Sequence, residues 1–283
     1  MSFPETRDEI VRRKEKNKIL IAGHQGTCGG YIVPNTIPAF ENALKQGCDI
    51  IEVDAVMSTD GDFFAFHNGK EKVILGVDQD IRTMSSYEIA SFRCFNSSGT
   101  QINQKIDRLD DILEQFKGRC LINIDRSWFY WEETIRCIER HHMPDQIILK
   151  SPVDHELLEV LQSHEVEFMY MPIISTSAQI EEVLKYKLNL IGLELIFTDL
   201  DSPLIQEESM QSYHSKKLLT WANTITLDDD LVLSAFLDDF RAITVSEQDT
   251  WGRLIDMGFD ILQTDWPMLL RKFVDESVSI RMH

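Results

Sequence analysis

The chain has 283 residues, 43% of them hydrophobic and 27% charged, which suits one large folded domain and leaves little room for disorder. Twenty-eight basic residues stand against 47 acidic ones, a formal charge of -19, which argues against nucleic acid or anionic membrane as the main partner. The five cysteines (Cys28, Cys48, Cys94, Cys120, Cys137) have irregular spacing and no CxxC, so they fit reduced thiols in the cytoplasm. No run approaches the roughly 18 apolar residues that a membrane span requires.

In chain order, residues 1–17 are polar and charged; they lack a signal-type apolar core and are expected to form an extra helix outside the main fold. Short apolar runs then recur at 19–24, 50–57, 121–125, 146–150, 168–174, 190–197, 218–223 and 261–265. Amphipathic stretches lie between them at 36–46, 108–116, 132–141, 155–163, 178–186 and 250–257. Strands separated by helix-length crossovers pair in parallel. Eight such units in one domain predict a closed (β/α)8 barrel, an α/β fold of the TIM type, spanning residues 1–283. Two stretches interrupt the pattern. An insertion after strand two carries an extra strand at 62–67 and a helix at 85–92. A second, between Trp221 and Gly258, carries two helical stretches and a β-like segment at 242–245.

Side chains alternate along a strand, so Glu52 and Asp54 share one face of the run at 50–57, about 7 Å apart at the α-carbons. The opposite face, Ile51, Val53 and Ala55, is purely apolar and suits packing under helices. The two carboxylates therefore point into the barrel, where they need a positive partner. A hard divalent cation satisfies that need, and so would a salt bridge to an interior Lys or Arg. In the run at 121–125, Asn123 and Asp125 share a face, and Asp125 adds a third carboxylate at a strand end. His24 and His67 also close strands, and imidazoles beside such a cluster can exchange protons near neutrality.

These residues fall in a recognisable order. Gly23-His24-Gln25-Gly26, Pro34-Asn35-Thr36, Glu52-Val53-Asp54, Asp60-Gly61, Phe66-His67, Asn123-Ile124-Asp125 and Thr264-Asp265-Trp266-Pro267 together resemble the glycerophosphodiester phosphodiesterases. The resemblance spans almost the whole chain. It implies that Glu52, Asp54 and Asp125 bind Ca²⁺ or Mg²⁺ and that His24 and His67 are the acid and base. It also implies a small-molecule diester substrate, split into glycerol phosphate and an alcohol.

The chain departs from that pattern in ways that bear on charge. Gln25 stands where the family has arginine, Pro34 where it has glutamate, Asn68 where it has aspartate and Ser127 where it has lysine. Asp125 is shorter than the usual glutamate. Lys150, at the end of its strand, is the expected substitute cation. Glu194 is read as inward-facing, and Trp221 as either a pocket wall or barrel packing. Gln25, Lys150, Glu194 and Trp221 are thus the expected substrate contacts. Arg126 falls on the outward parity of its strand, and Asp265 is read as a helix cap. Two other outcomes stay open: a barrel that binds a phosphorylated ligand with little turnover, and a sister chemistry that stops at a cyclic phosphate.

Overall fold

The computed structural model describes Ile10, Arg12, Lys14, residues 17–164 and residues 168–281. Its strands are β1 (Leu20–Gly23), β2 (Ile50–Met57), β3 (Phe63–Ala65), β4 (Leu121–Asp125), β5 (Ile147–Leu149), β6 (Met169–Tyr170), β7 (Ile173–Ile174), β8 (Gly192–Leu195), β9 (Leu219–Asn223) and β10 (Ile261–Thr264). The order β6-β5-β4-β2-β1-β10-β9-β8-β7 is parallel throughout, and β3 runs antiparallel to β2. The ring closes because β6 and β7 belong to one run of chain, which pairs with β5 on one side and β8 on the other. Pro172 has no N–H to give to the ladder, so the single strand expected at 168–174 is split in two. The result is the expected eight-stranded barrel.

Helices pack outside the ring over the large apolar core formed by the outward strand residues, such as Ile51, Val53, Ile122 and Ile124. A second cluster fills the barrel interior with Leu20, Ile50, Leu121, Ile148, Trp221 and Ile261, and Ile10 joins it. Most of the helix expected over residues 1–17 lies outside the described residues. Ile10, Arg12, Lys14 and Asn17 are helical, and the Lys14 ammonium pairs with Asp260 at 2.8 Å.

The insertion after β2 has its own small core, in which Phe64, Phe66, Ile81, Met84 and Ile89 are buried. Its helix Ser86–Ser91, within the stretch 85–92 expected to be helical, begins at a capping box made by Ser85 and Glu88. The β-like segment at 242–245 is corrected. Residues Asp239–Thr244 form a helix, because the Asp238 side chain accepts from the Arg241 N–H and starts the turn. A helix at Glu207–Ser215 was not expected: its sequence is mostly polar and it buries only Met210 and Tyr213. Among the described residues no helix is long and apolar enough to cross a membrane, and none of the five cysteines forms a disulfide.

Candidate active site

The site is built at the C-terminal ends of β1, β2, β4 and β10. In the β2–β4 ladder Glu52 lies opposite Asn123 and Asp54 opposite Asp125, so strand register alone brings the acidic side chains together. Glu52, Asp54 and Asp125 each place an oxygen within 4.8 Å of the others. Glu52 and Asp54 are almost wholly buried. Burial, then the Asp54 charge, holds Glu52 well above the usual carboxylate range, with His24 opposing. Burial and Asp54 also raise Asp125, against the pull of Lys150.

The loop after β1 braces this cluster. Gln25 donates its backbone N–H to Glu52 at 2.7 Å and its side-chain amide to Asp54 at 2.6 Å. Asn35 donates to the same Asp54 oxygen at 2.8 Å and accepts from the Asp54 N–H at 3.0 Å. Both residues adopt left-handed backbone, φ 53° for Gln25 and 57° for Asn35, and the Asn35 N–H bonds the Gln25 carbonyl. Gln25 therefore does not merely vacate the place of an arginine; it orients Asp54. Gly26 makes the turn possible: its φ is +75°, and a Cβ there would lie 2.6 Å from the backbone of Ala39. Gly26→Ala is expected to destabilise the fold by about 2–3 kcal/mol, from left-handed strain plus overpacking. Urea unfolding checks this, and an unchanged midpoint would mean that the loop relaxes freely.

Both histidines line the cleft at the barrel mouth. His24 directs Nδ1 at the Asp265 carboxylate, 2.8 Å away. Burial pulls this imidazole down, but the Asp265 hydrogen bond and the charges of Glu52, Asp265 and Asp54 outweigh it and raise it to about 9. Asp265 is itself placed by Asp239, whose carboxylate accepts from the Asp265 N–H at 2.9 Å and from Thr264, Thr224 and Trp251. Burial lifts Asp239 to about 6 against those four hydrogen bonds. His67 gives Nδ1–H to the Asn68 carbonyl at 2.8 Å, which leaves Nε2 as its free nitrogen. The Asn68 side-chain oxygen accepts from the Arg126 guanidinium at 2.8 Å. Arg126 thus braces the residue that follows His67, because its φ of 55° turns the chain out of the strand, where parity no longer applies. Asp265 and Asp239 are the residues that sequence reasoning missed. Asp265 had a usable signal: β1 and β10 pair Gly23 with Thr264, so His24 and Asp265 follow in step.

Beside the acidic cluster lies a second polar group. Lys150 is 2% exposed, and its ammonium meets Glu194 at 2.8 Å. It also stands 3.2 Å from the centre of the Trp221 ring. Asn223 donates to Glu194, and the Trp221 indole donates to Asn223 and Gln263. Two expectations are corrected by this geometry. The Lys150 charge is committed to a carboxylate inside the barrel and is not a free cation at the mouth. Trp221 has no exposed surface and packs the interior; it does not wall the cleft. Ser127 is also fully buried, its hydroxyl turned back to the Ile124 carbonyl. Lys150→Met would strand the Glu194 carboxylate, and is expected to cost about 3 kcal/mol of stability. The Lys150→Met, Glu194→Leu double variant should recover most of it in urea unfolding. A single variant as stable as the parent would show that Glu194 needs no partner.

Do these residues suit a cation? One Asp125 oxygen is buried with no hydrogen-bond partner. Two of the three crowded carboxylates stay above their ordinary range in spite of the opposing charges of His24 and Lys150, so a further positive charge between them is favourable, and an all-oxygen donor set suits a hard divalent ion. The residues fit. Above them opens a cleft of about 810 Å³ that both His24 and His67 line.

The fold and site together define a barrel whose mouth sets an acidic, cation-fitting cluster between two histidines. Residues 24–163 match the model of the Glycerophosphoryl diester phosphodiesterase family, and residues 170–274 match that of a domain of unknown function. The chain is 22% identical to a Glycerophosphodiester phosphodiesterase of Bacillus subtilis, covering 90% of this chain and 86% of that one. It is 22% identical to a Lysophospholipase D of Homo sapiens, covering 94% and 90%. A Glycerophosphoryl diester phosphodiesterase structure from Parabacteroides distasonis superposes with a TM-score of 0.74 at 19% identity, covering 92% and 87%. An Oleispira antarctica phosphodiesterase in complex with sn-glycerol-3-phosphate gives 0.64 at 18% identity, covering 92% and 98%. The family match over residues 24–163 and the likeness to these relatives point to the glycerophosphodiester phosphodiesterase family.

Proposed function

We propose that the protein hydrolyses a glycerophosphodiester to glycerol phosphate and an alcohol, with Glu52, Asp54 and Asp125 holding Ca²⁺ or Mg²⁺. The observation that carries this reading is the orphaned, buried Asp125 oxygen inside a three-carboxylate cluster at a cleft lined by two histidines. The cation supplies Lewis-acid neutralisation of the phosphate oxygens. His24 and His67 each have Nδ1 engaged, by Asp265 and by the Asn68 carbonyl, so Nε2 is the nitrogen each offers to the substrate. One accepts the proton of the substrate hydroxyl as its oxygen attacks phosphorus, the other protonates the departing alcohol oxygen, and a water then opens the cyclic phosphate to glycerol phosphate. Gln25 and Asn35 keep Asp54 oriented as charge redistributes.

The rival reading, a barrel that binds a phosphorylated ligand without turning it over, rests on Gln25 and Ser127. Neither places a cation where the family has one. The deciding experiment presents a panel of glycerophosphodiesters to protein stripped with EDTA and then reloaded with Mg²⁺ or Ca²⁺, with products read by phosphorus NMR. Release of glycerol phosphate only after reloading is the expected result. A cyclic phosphate as the final product would assign the sister chemistry. No turnover of any diester by protein with bound metal would favour the binding reading.

A further inference from the structure

His24 is held by two consecutive residues at the end of β10. Its backbone N–H bonds the Thr264 carbonyl at 3.2 Å, and its Nδ1 meets the Asp265 carboxylate at 2.8 Å. A single side chain grips both of those residues. Asp239 Oδ2 accepts from the Thr264 hydroxyl at 2.8 Å and from the Asp265 N–H at 2.9 Å. Its Oδ1 accepts from the Thr224 hydroxyl at 2.6 Å and from the Trp251 indole at 2.9 Å. Asp239, Thr224 and Trp251 all lie in the insertion between β9 and β10. The insertion is stitched to β10 as well, because the Thr224 N–H bonds the Gln263 carbonyl at 2.8 Å. Trp251 is fully buried and is delivered by a π-helical turn at Gln248–Gly252, a rare element that is frequent at functional sites.

A helix cap would account for an aspartate here, but Asp238 already caps the helix Asp239–Thr244. Asp239 is 2% exposed, and among the described residues no cation pairs with it. A buried carboxylate without a cation is costly to keep, and its hydrogen bonds show what it holds. Two of its four donors, the Asp265 N–H and the Trp251 N–H, are rigid and address different oxygens. Both oxygens must therefore accept, which a carboxylate does and an amide does not. We infer that Asp239 is a positioning residue, which fixes Thr264 and Asp265 and through them keeps the His24 imidazole in its reactive orientation. The role of His24 in the reaction rests on the proposed hydrolysis; the clamp on its imidazole does not. Asp239 is outside the carboxylate cluster, so its loss falls on kcat and not on cation affinity. The inference also gives a role to part of the stretch 170–274, which matches a domain of unknown function.

The test compares the parent, Asp239→Ala and the double variant Asp239→Asn, Trp251→Phe, all loaded with Mg²⁺ and assayed on glycerophosphocholine at equal amounts of folded protein. Asp239→Ala is expected to lower kcat by about 10–10²-fold, the range seen when an outer partner that orients an active-site group is removed. KM and Mg²⁺ affinity should stay near the parent values. In the double variant the indole N–H is gone, so the amide can turn its NH2 that way and keep its oxygen on the Asp265 N–H. It should recover most of the lost kcat without the charge. Asp239→Glu keeps the carboxylate but displaces it by about a bond length, and carries the same expected loss should Asp239→Ala not fold. The Nδ1–H proton of His24, followed in protein labelled with ¹⁵N-histidine, reads the clamp without any turnover. It should be sheltered from exchange in the parent and the double variant and lose that shelter in Asp239→Ala. Parent kcat in folded Asp239→Ala, an unchanged Nδ1–H signal, or a double variant as slow as Asp239→Ala would overturn the inference. If the parent cleaves no diester, the proposed reaction fails, and the proton signal alone decides whether Asp239 holds the imidazole.

Discussion

Asp54→Ala is expected to abolish cation binding and to lower diester turnover by at least about 10³-fold. Losing one preorganised electrostatic contact typically costs 10²–10³ in rate, and Asp54 supports more than one. It lies between Glu52 and Asp125, and one of its oxygens accepts from both Gln25 and Asn35. Its removal deletes a carboxylate of the proposed cation site and releases the loop that orients Glu52, since the Gln25 N–H also holds that side chain. Asp54→Asn separates the two effects. The amide keeps the shape, so loop order should survive while cation binding is lost. In ion-free protein the substitution is even expected to stabilise the fold, because the Asp54 charge raises both Glu52 and Asp125. About 1 kcal/mol of relief would lift Tm by roughly 2 °C. Elemental analysis, calorimetric titration with Mg²⁺ and Ca²⁺, and thermal unfolding read the three quantities. Wild-type turnover by metal-free protein in excess chelator would sink the cation reading.

Strand parity made much of this site legible, and its limits explain the rest. Alternation along β2 and β4 placed Glu52, Asp54, Asn123 and Asp125 on inward faces, and the β2–β4 register then set Asp54 beside Asp125. Parity identifies a face and not the partner that a side chain on it will find. Lys150, Glu194 and Trp221 do face inward, yet they close on one another in the interior. Parity also stops where the strand stops. Asp125 is the last residue of β4, and the left-handed turn at Arg126 carries the guanidinium to Asn68, a contact no periodic pattern encodes. Asp239 could not be read at all. It is one acid among several in a polar stretch, and its four hydrogen bonds come from residues that only the closed barrel brings together. The helix Glu207–Ser215 escaped for a similar reason: two buried side chains do not make a visible stripe.

His24→Ala is expected to lower kcat by about 10²–10⁴, the range typical of a lost general acid or base, with cation affinity retained. The substitution alone would not separate a proton-transferring histidine from a structural one, and Asp265 supplies the distinction. Its carboxylate holds His24 Nδ1 at 2.8 Å, but it is 43% exposed, so it contributes little to stability by itself. Asp265→Ala should therefore leave the unfolding midpoint nearly unchanged while lowering kcat, by about 10²-fold if orientation of the imidazole matters to the reaction. Asp265→Asn should restore part of that loss, because its amide oxygen still accepts from Nδ1–H and keeps Nε2 aimed into the cleft. The charge is absent in Asn, so the part it fails to restore measures the electrostatic share of the dyad. Because neither substitution touches the carboxylate cluster, KM for a diester and affinity for Mg²⁺ should move little in both. If Asp265→Ala leaves kcat at the parent value while His24→Ala remains inactive, His24 acts without its partner and the dyad is only packing. If His24→Ala itself turns over at the parent rate, proton transfer in this cleft belongs to other groups, and His67 becomes the residue to test first.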